Sequence, residues 1–324
     1  GQFADISRNE QDSLTYITAE KLYMAGDCDK STTQFNDYLT QFPDGIFALN
    51  ANFYLADCFN RKGDTLSALK HYDFVIEKPK NTFSEQALLA AATLQFKSGK
   101  YSEAQANYEK LETVAEVKNH LIESRIGQLR SNYFINDHAN VVKTADKVLH
   151  TEKISEGYKR EAHYKKGKAL YALKNNELAL DEFRIISSEV NSSEGAESKY
   201  LICEIYFNDN QLDVAESEIF DFAAQNTSQE YWLAKSFILL ADIYIKKDDK
   251  FQAKHTLKSI VDNYNPEADD DILKIATEKY NSIVEDEKLK LEQQKPDEIE
   301  LNFEGNTNEQ NQELFEVKSD TISF

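Results

Sequence analysis

The amino-acid sequence predicts an all-α fold, an α-solenoid of about seven helix-turn-helix repeats followed by a C-terminal capping helix. Three observations lead to this prediction. Glycine and proline are scarce, with 10 and 4 among 324 residues, whereas all-β folds need frequent turn residues. A pair of small residues recurs with a nearly constant period. A residue suited to a tight turn lies at a fixed distance after the first member of each pair, as expected of a repeat protein.

The small residues of each pair are 12 positions apart, and successive first members are 36 to 38 residues apart. We expect each pair to mark the close approach of two helices, helix A and helix B, within one repeat. Gly167 fits this explanation, because a glycine inside a helix permits close contact with the helix that carries Ala179. The pairs are Ala19/Ser31, Ala56/Ala68, Ala92/Ala104, Leu129/Val141, Gly167/Ala179, Cys203/Ala215 and Ala241/Ala253, of which only Leu129/Val141 consists of larger residues.

A turn is predicted seven residues after each first member. Six of the seven residues in this column are glycine, asparagine or aspartate, which adopt left-handed backbone most readily. The seventh is a lysine. The column consists of Gly26, Gly63, Gly99, Asn136, Lys174, Asn210 and Asp248.

Helix B is predicted from apolar residues four and seven positions after the second small residue, which share one helical face. Ala145 alone is small among the residues at the first of these positions. Pro43, Pro79 and Pro266 follow the second helix of their repeats, where a helix is expected to end. The two columns are Phe35, Tyr72, Tyr108, Ala145, Phe183, Ile219 and Leu257, and Tyr38, Val75, Leu111, Val148, Ile186, Phe222 and Ile260.

The two ends of the chain differ from the repeats. Residues 1–11 are expected to form an N-terminal arm, and the absence of an initiator methionine suggests that further repeats or a signal peptide precede Gly1. Residues 266–295 are predicted to contain a capping helix, apolar on one side only. Residues 296–324 form an acidic tail in which residues 299–303 alternate as a short strand would, and residues 314–317 form a second apolar cluster.

The stretches LADCFNRKGDTLSALKHY and KGKALYALKNNELALDEF, with their paired small residues, resemble the tetratricopeptide repeat (TPR). The resemblance covers residues 12–265 and implies a right-handed superhelix with the A helices on its inner face. The fourth repeat departs most from the pattern, and Gly127 is expected to take over its close helix contact. The links FPDG and PEAD are similar to those of bacterial cell-envelope TPR proteins, which implies the periplasm or cell envelope more than the cytoplasm.

Composition and charge disfavour several classes of function. The net charge is −20, and without a lysine- or arginine-rich run the chain is not expected to bind nucleic acid or anionic membranes. No apolar run is long enough to span a bilayer. The three cysteines, Cys28, Cys58 and Cys203, show no metal-binding spacing and are expected to be buried as small apolar side chains.

No catalytic pattern is found in the sequence. Gly167 and Lys168 lack the upstream glycine and the following hydroxyl that a phosphate-binding loop requires, and the six histidines are scattered. We therefore expect a protein that is not an enzyme and that has no cofactor or metal. A catalytic solenoid is the alternative from another class.

The resemblance implies that residues one and four positions after the first small residue of helix A face a ligand groove. At the first of these positions the residues run acidic, acidic, neutral, basic, basic, acidic, acidic, so that Arg130 and Lys168 form a cationic spot. Core packing of the aromatic residues and ion pairing of the two cations are the alternatives. The expected groove residues are Tyr23, Asp57, Asn60, Phe96, Arg130, Tyr133, Lys168, Tyr171, Glu204, Phe207 and Asp242.

These observations predict a non-enzymatic scaffold that binds a protein or peptide segment along its A helices. A ligand with an acidic centre and basic flanks would complement the cationic spot. On this hypothesis, replacing both Arg130 and Lys168 with glutamate abolishes capture of the partner. The alternative is a self-assembling chain, or one whose tail occupies its own groove, within a larger cell-envelope protein.

Overall fold

The computed structural model describes residues 7–265 and 270–293, which form fifteen α-helices. The predicted all-α class is confirmed, because the described residues contain no strand. The helices are α1 (Arg8–Met24), α2 (Cys28–Gln41), α3 (Ala48–Arg61), α4 (Thr65–Ile76), α5 (Ser84–Lys97), α6 (Tyr101–Val114), α7 (Lys118–Phe134), α8 (His138–Leu149), α9 (Glu156–Ala172), α10 (Asn176–Ile186), α11 (Ser193–Asn208), α12 (Leu212–Ala224), α13 (Glu230–Lys246), α14 (Lys250–Asn263) and α15 (Ile272–Gln293).

The chain forms two compact units, Gly1–Asn175 and Asn176–Phe324. The first unit contains α1 to α9, and the second contains α10 to α15. Within each unit every helix packs on the next one along the chain, and helices A also contact each other in the pairs α1 and α3, α5 and α7, α7 and α9, and α11 and α13. Odd-numbered helices up to α13 are helices A, and even-numbered helices are helices B.

The paired small residues lie in the core, as predicted. Ala19, Ala56, Ala92 and their partners in helix B are fully buried, and Gly167 is buried within α9. The large residues of helix B that follow them, from Phe35 to Leu257, are also buried. In the first repeat Phe35 and Tyr38 pack against Ala51 and Leu55 of α3, so one cluster joins consecutive repeats.

The turn between helices A and B has left-handed backbone in all seven repeats, at the residues predicted from the sequence. The φ angles are positive at Gly26, Gly63, Gly99, Asn136, Lys174, Asn210 and Asp248. In four repeats an aspartate follows at once and caps helix B, since its carboxylate accepts a hydrogen bond from a backbone N–H three residues later. These aspartates are Asp27, Asp64, Asp137 and Asp249.

Gly127 makes a close helix contact, but with helix B of the third repeat and not, as expected, with helix B of its own repeat. A Cβ atom added to Gly127 would lie 2.5 Å from ring atoms of Tyr108, which is too close for any side chain. Helix α7 therefore packs against the Tyr108 ring of α6, and Leu129 and Val141 fill the core behind it.

The expectation for two of the three cysteines was wrong. Cys203 is buried and free, but Cys28 and Cys58 form a disulfide. Cys28 is the first residue of α2, and Cys58 lies in α3. Helix B of one repeat packs on helix A of the next, and this packing brings together residues that are 30 positions apart. No local cysteine spacing records that contact.

The expected N-terminal arm is too long by one helical turn. Helix α1 begins at Arg8 because Ser7 and Glu10 form a capping box, in which each side chain accepts a hydrogen bond from the other residue's backbone N–H. Residues 8–11 are therefore helical.

At the other end, the predicted capping helix is observed as α15. Asp270 stabilises its start, because its carboxylate accepts hydrogen bonds from the Ile272 N–H and the Tyr264 hydroxyl. The acidic tail, with the predicted strand at 299–303 and the apolar cluster at 314–317, lies outside the described residues, as do residues 1–6.

Lys174 offers a test of the turn geometry. It has a φ of +63°, and left-handed backbone costs a residue other than glycine about 1 kcal/mol. Lys174→Gly should therefore raise the free energy of unfolding, by up to about 1 kcal/mol, and should shift the urea midpoint upwards. Lys174→Ala is the matched control: it removes the lysine side chain but keeps the strain. An equal gain in both variants would show that the side chain, and not the backbone, is responsible.

Candidate functional site

The eleven expected groove residues all lie on helices A, and all are half-buried. Eight belong to the first unit, on α1, α3, α5, α7 and α9, and three to the second unit, on α11 and α13. The residues three positions before the first small residue are more enclosed: Tyr16 and Ile126 are almost fully buried. Five of the seven residues in that column are buried and serve in packing, whereas Leu89 and Tyr164 are half-buried.

In the first two repeats, the expected groove residues contact each other. The Tyr23 hydroxyl donates a hydrogen bond of 2.7 Å to the Asp57 carboxylate, and the ring of Tyr23 stacks on Tyr54 with centroids 4.3 Å apart. Arg61 lies 2.7 Å from the same carboxylate. Burial, together with the bond to Asp57, raises the pKa of the Tyr23 hydroxyl. These groups link α1 to α3.

The cationic residues of the fourth and fifth repeats also have partners within the chain. Both Nε and Nη2 of Arg130 donate hydrogen bonds of 2.8 Å to the carboxylate of Glu161 on α9. The bonds to Glu161 raise the pKa of Arg130. The Lys165 ammonium lies 4.1 Å from the ring centroid of Tyr133, and Lys168 lies over the ring of Tyr164 at 5.6 Å. The Arg130 fork is thus already occupied by a carboxylate.

In the second unit, each of three expected residues contacts a neighbouring side chain. Tyr200 donates a hydrogen bond of 2.7 Å to Glu204. Lys246 of α13 lies 3.9 Å from the ring centroid of Phe207 on α11. Asp242 and Lys279 form an ion pair of 2.6 Å that joins α13 to α15. Of these contacts, that between Lys246 and Phe207 connects successive helices A, and that between Asp242 and Lys279 connects the last helix A to the capping helix.

The third repeat is different, because its helix A borders an open cleft. One side of α5 presents Leu89, Ala90, Thr93 and Leu94, which are half-buried. Together with other residues they line a cavity of about 270 Å³. The cavity has an apolar floor and a rim of amide, ammonium and imidazole groups. Its remaining lining residues are Asn60, Gln86, Lys97 and His120.

A second cleft of about 530 Å³ lies beside the first and shares Gln86 and His120 with it. Here the Glu85 carboxylate accepts hydrogen bonds from the backbone N–H groups of Glu116 and Val117 and pairs with His120 at 2.7 Å. Lys80 and Glu116 form an ion pair across the cleft. These residues come from the starts and links of the third and fourth repeats.

Asn60, Leu89 and Thr93 belong to the columns four after, three before and one after the first small residue of helix A, but only Asn60 was expected as a groove residue. The other lining residues lie outside these columns, so the repeat pattern gave no signal for them. Phe96, the expected residue on α5, lies in an aromatic cluster. Its ring is 5.6 Å from that of Phe134, which stacks on Tyr101 with centroids 4.6 Å apart. Phe134 is 49% exposed, so the cluster forms an apolar surface at the turn end of these helices.

Residues 7–265 and 270–293 contain neither a cluster of metal-binding side chains nor a membrane-spanning helix. In those ranges no group of three or more histidine, cysteine, aspartate or glutamate side chains could hold a metal ion. None of the helices there has the length and apolar character that crossing a bilayer requires.

The fold is similar to solved structures of tetratricopeptide-repeat proteins. The C-terminal part of such a protein from Cytophaga hutchinsonii matches 80% of this chain and 98% of its own length, with 13% identity and a TM-score of 0.53. A tetratricopeptide repeat protein from Parabacteroides merdae matches 82% of this chain and 98% of its own, with 18% identity and a TM-score of 0.42.

MamA from Desulfovibrio magneticus matches 55% of this chain and 93% of its own length, with 19% identity and a TM-score of 0.45. No family model matches the sequence, and no curated protein matches it either. The alignment with the Cytophaga structure identifies the fold and confirms the fold predicted from the sequence.

The Glu85 site predicts a dependence of stability on acid pH. Burial raises the pKa of Glu85, but hydrogen bonds from Glu116, His120 and Val117 outweigh it and lower the pKa below its usual 4.5. The stabilisation is therefore present above pH 4.5 and is lost as the pH falls through the lowered pKa. Glu85→Gln should be less stable than the parent at pH 7, and the gap in urea midpoint should close towards pH 3. A gap that is constant with pH would contradict this prediction. Glu103→Gln, on the exposed side of α6, is the control.

Proposed function

Because the described helices have the tetratricopeptide-repeat fold, we propose that the chain is a non-enzymatic scaffold that binds an extended peptide or protein segment along helices A of its first unit. The cleft on α5 carries this proposal. It offers apolar side chains at its floor and amide groups at its rim, a combination that can hold apolar side chains and the main chain of a peptide.

The cleft is a better ligand site than the cationic spot predicted from the sequence. Arg130 is held by two hydrogen bonds to Glu161. A ligand carboxylate would have to displace that carboxylate and leave it without its partner, which costs free energy. Thr93, by contrast, occupies the corresponding position of α5 with a neutral side chain, and the cleft opens beside it.

The two clefts differ in polarity, which suggests how a ligand would lie. Leu89, Ala90 and Leu94 would take an apolar side chain. The groups around His120, Glu85 and Lys80 would then contact polar parts of the same segment in the adjoining cleft. Because Gln86 lines both clefts, it stands where the ligand would pass from one to the other.

A random peptide library displayed on phage and selected against the whole chain tests this proposal. Selected peptides should contain an apolar residue, and Gln86→Trp should remove binding by filling the space between the clefts. Gln252→Trp, at an exposed position of α14, should bind as the parent does.

Two outcomes would contradict the proposed site. In the first, peptides still bind the Gln86→Trp protein. In the second, binding is lost in Lys168→Glu but kept in Gln86→Trp, which would favour the cationic spot. Thermal unfolding of each variant shows whether the fold is retained.

The proposal also concerns the cellular compartment in which the protein is found. The Cys28–Cys58 disulfide supports an oxidising location, such as the periplasm or the cell envelope, because disulfides persist there and are rare in the cytosol. The disulfide ties the first repeat to the second, and a closed loop of this size stabilises the fold by about 3 to 4 kcal/mol.

Thiol labelling tests the location. In cells of the source organism quenched with acid and alkylated under denaturing conditions, one thiol per chain, that of Cys203, should react. Labelling of all three cysteines would contradict the proposed compartment. In the purified protein, a reducing agent should lower the melting temperature of the parent and of Cys203→Ala, but not that of Cys28→Ser/Cys58→Ser.

A further inference from the structure

Helix α1 carries an exposed stripe of five residues: Glu10, Leu14, Ile17, Lys21 and Met24. The apolar members are large and accessible, with Leu14 56%, Ile17 39% and Met24 65% exposed. Their spacing alternates between four and three residues, which is the spacing of the contact positions of a coiled coil. The stripe therefore has the residue spacing of one helix in a coiled-coil pair.

The same side of helix A is occupied differently in every later repeat. The residue that corresponds to Leu14 is alanine or serine in all six, and it has no exposure. Ala51 and Ala87 share core clusters with Tyr38 and Tyr72 of the preceding helix B. Close contact with a helix B therefore requires a small residue there. The six residues are Ala51, Ala87, Ser124, Ala162, Ser198 and Ser236.

Leu14 is too large for that close contact, and its apolar side chain is 56% exposed instead of buried. A helix that packs by interleaving side chains at a larger separation would suit it. The charges along the stripe indicate which helix could pack against it. From Glu10 to Lys21 the residues are acidic, apolar, apolar and basic.

We propose that α1 pairs antiparallel with α1 of a second copy of the chain, about a two-fold axis between residues 15 and 16. In this register Leu14 lies opposite Ile17 of the second copy, and Glu10 lies opposite Lys21. Each pair occurs twice, as two-fold symmetry requires. The two apolar pairs occupy the centre, an ion pair flanks them on each side, and Met24 of each copy lies beyond the ion pair.

The charge order of the stripe favours a second copy, although the net charge of the chain opposes association. The chain has a net charge of −20, so two copies repel each other unless their contact brings opposite charges together. The stripe does so, since it carries one acid and one base at equal distances from its centre. In addition, the capping box with Ser7 holds the Glu10 carboxylate at the outer end of the stripe.

Light scattering on the full chain tests the dimer. The parent should have twice the chain mass of 37.2 kDa, and Leu14→Glu/Ile17→Glu should have the single mass. Leu289→Glu/Leu291→Glu is the matched control, because it places the same charges at exposed leucines of α15 and should remain dimeric. Circular dichroism reports whether each variant stays helical.

Mixing two charge variants tests the register. Lys21→Glu alone should dimerise about tenfold more weakly, since two like-charge contacts replace two ion pairs. Glu10→Lys alone should also weaken the dimer. An equimolar mixture should restore it, because each remaining charge then meets its opposite. A mixture no stronger than the single variants would overturn the antiparallel register.

Three results would overturn the dimer itself. The first is a parent that is monomeric at every concentration. The second is a monomeric parent that dimerises once residues 1–6 are deleted, which would show that this segment covers the stripe. The third is a dimer that survives Leu14→Glu/Ile17→Glu but is lost when the chain ends at Lys295, which would assign the contact to the tail. Peptide binding at α5 is measured separately and does not decide this test.

Discussion

The structure depends on the close approach of helices A and B at the paired small residues within each unit. These positions have no exposure in almost every repeat, and the interior is packed too densely to accept added volume. In the fourth repeat the pair consists of the larger Leu129 and Val141. There Gly127 makes a close contact with the ring of Tyr108 on the preceding helix B, so a residue without a side chain is still required where two helices meet closely.

The same contact explains why helices A interact with their neighbours through charged and aromatic side chains. Once A and B are fixed, successive helices A lie side by side, and residues just after the small position meet across repeats. Asp57 binds Tyr23, Arg130 binds Glu161, and Asp242 binds Lys279. Thr93, the neutral member of this column, lines the cleft beside α5. The candidate site therefore lies where the column carries no charge.

The fold could be predicted from the sequence because one residue pattern recurs seven times, so weak local signals add up. At Lys174 the position in the repeat outweighs the preference of a lysine for right-handed backbone. Its φ angle is positive, like those of the glycines at the same position. The partner of each side chain could not be predicted. The Cys28–Cys58 bond and the pairing of Arg130 with Glu161 join residues about 30 positions apart. Such contacts depend on the angle between consecutive repeats, which no local pattern records.

Two devices tie the first repeat to the second. The disulfide holds α2 on α3. In addition, the buried Asp12 accepts hydrogen bonds from the Tyr38 hydroxyl and the Ile46 N–H, which fixes the link to the second repeat. Both devices hold α1 and α2 in place. An α1 pair would need that rigidity, because a helix free to separate from its repeat would lose conformational freedom on binding, and this loss would weaken the contact.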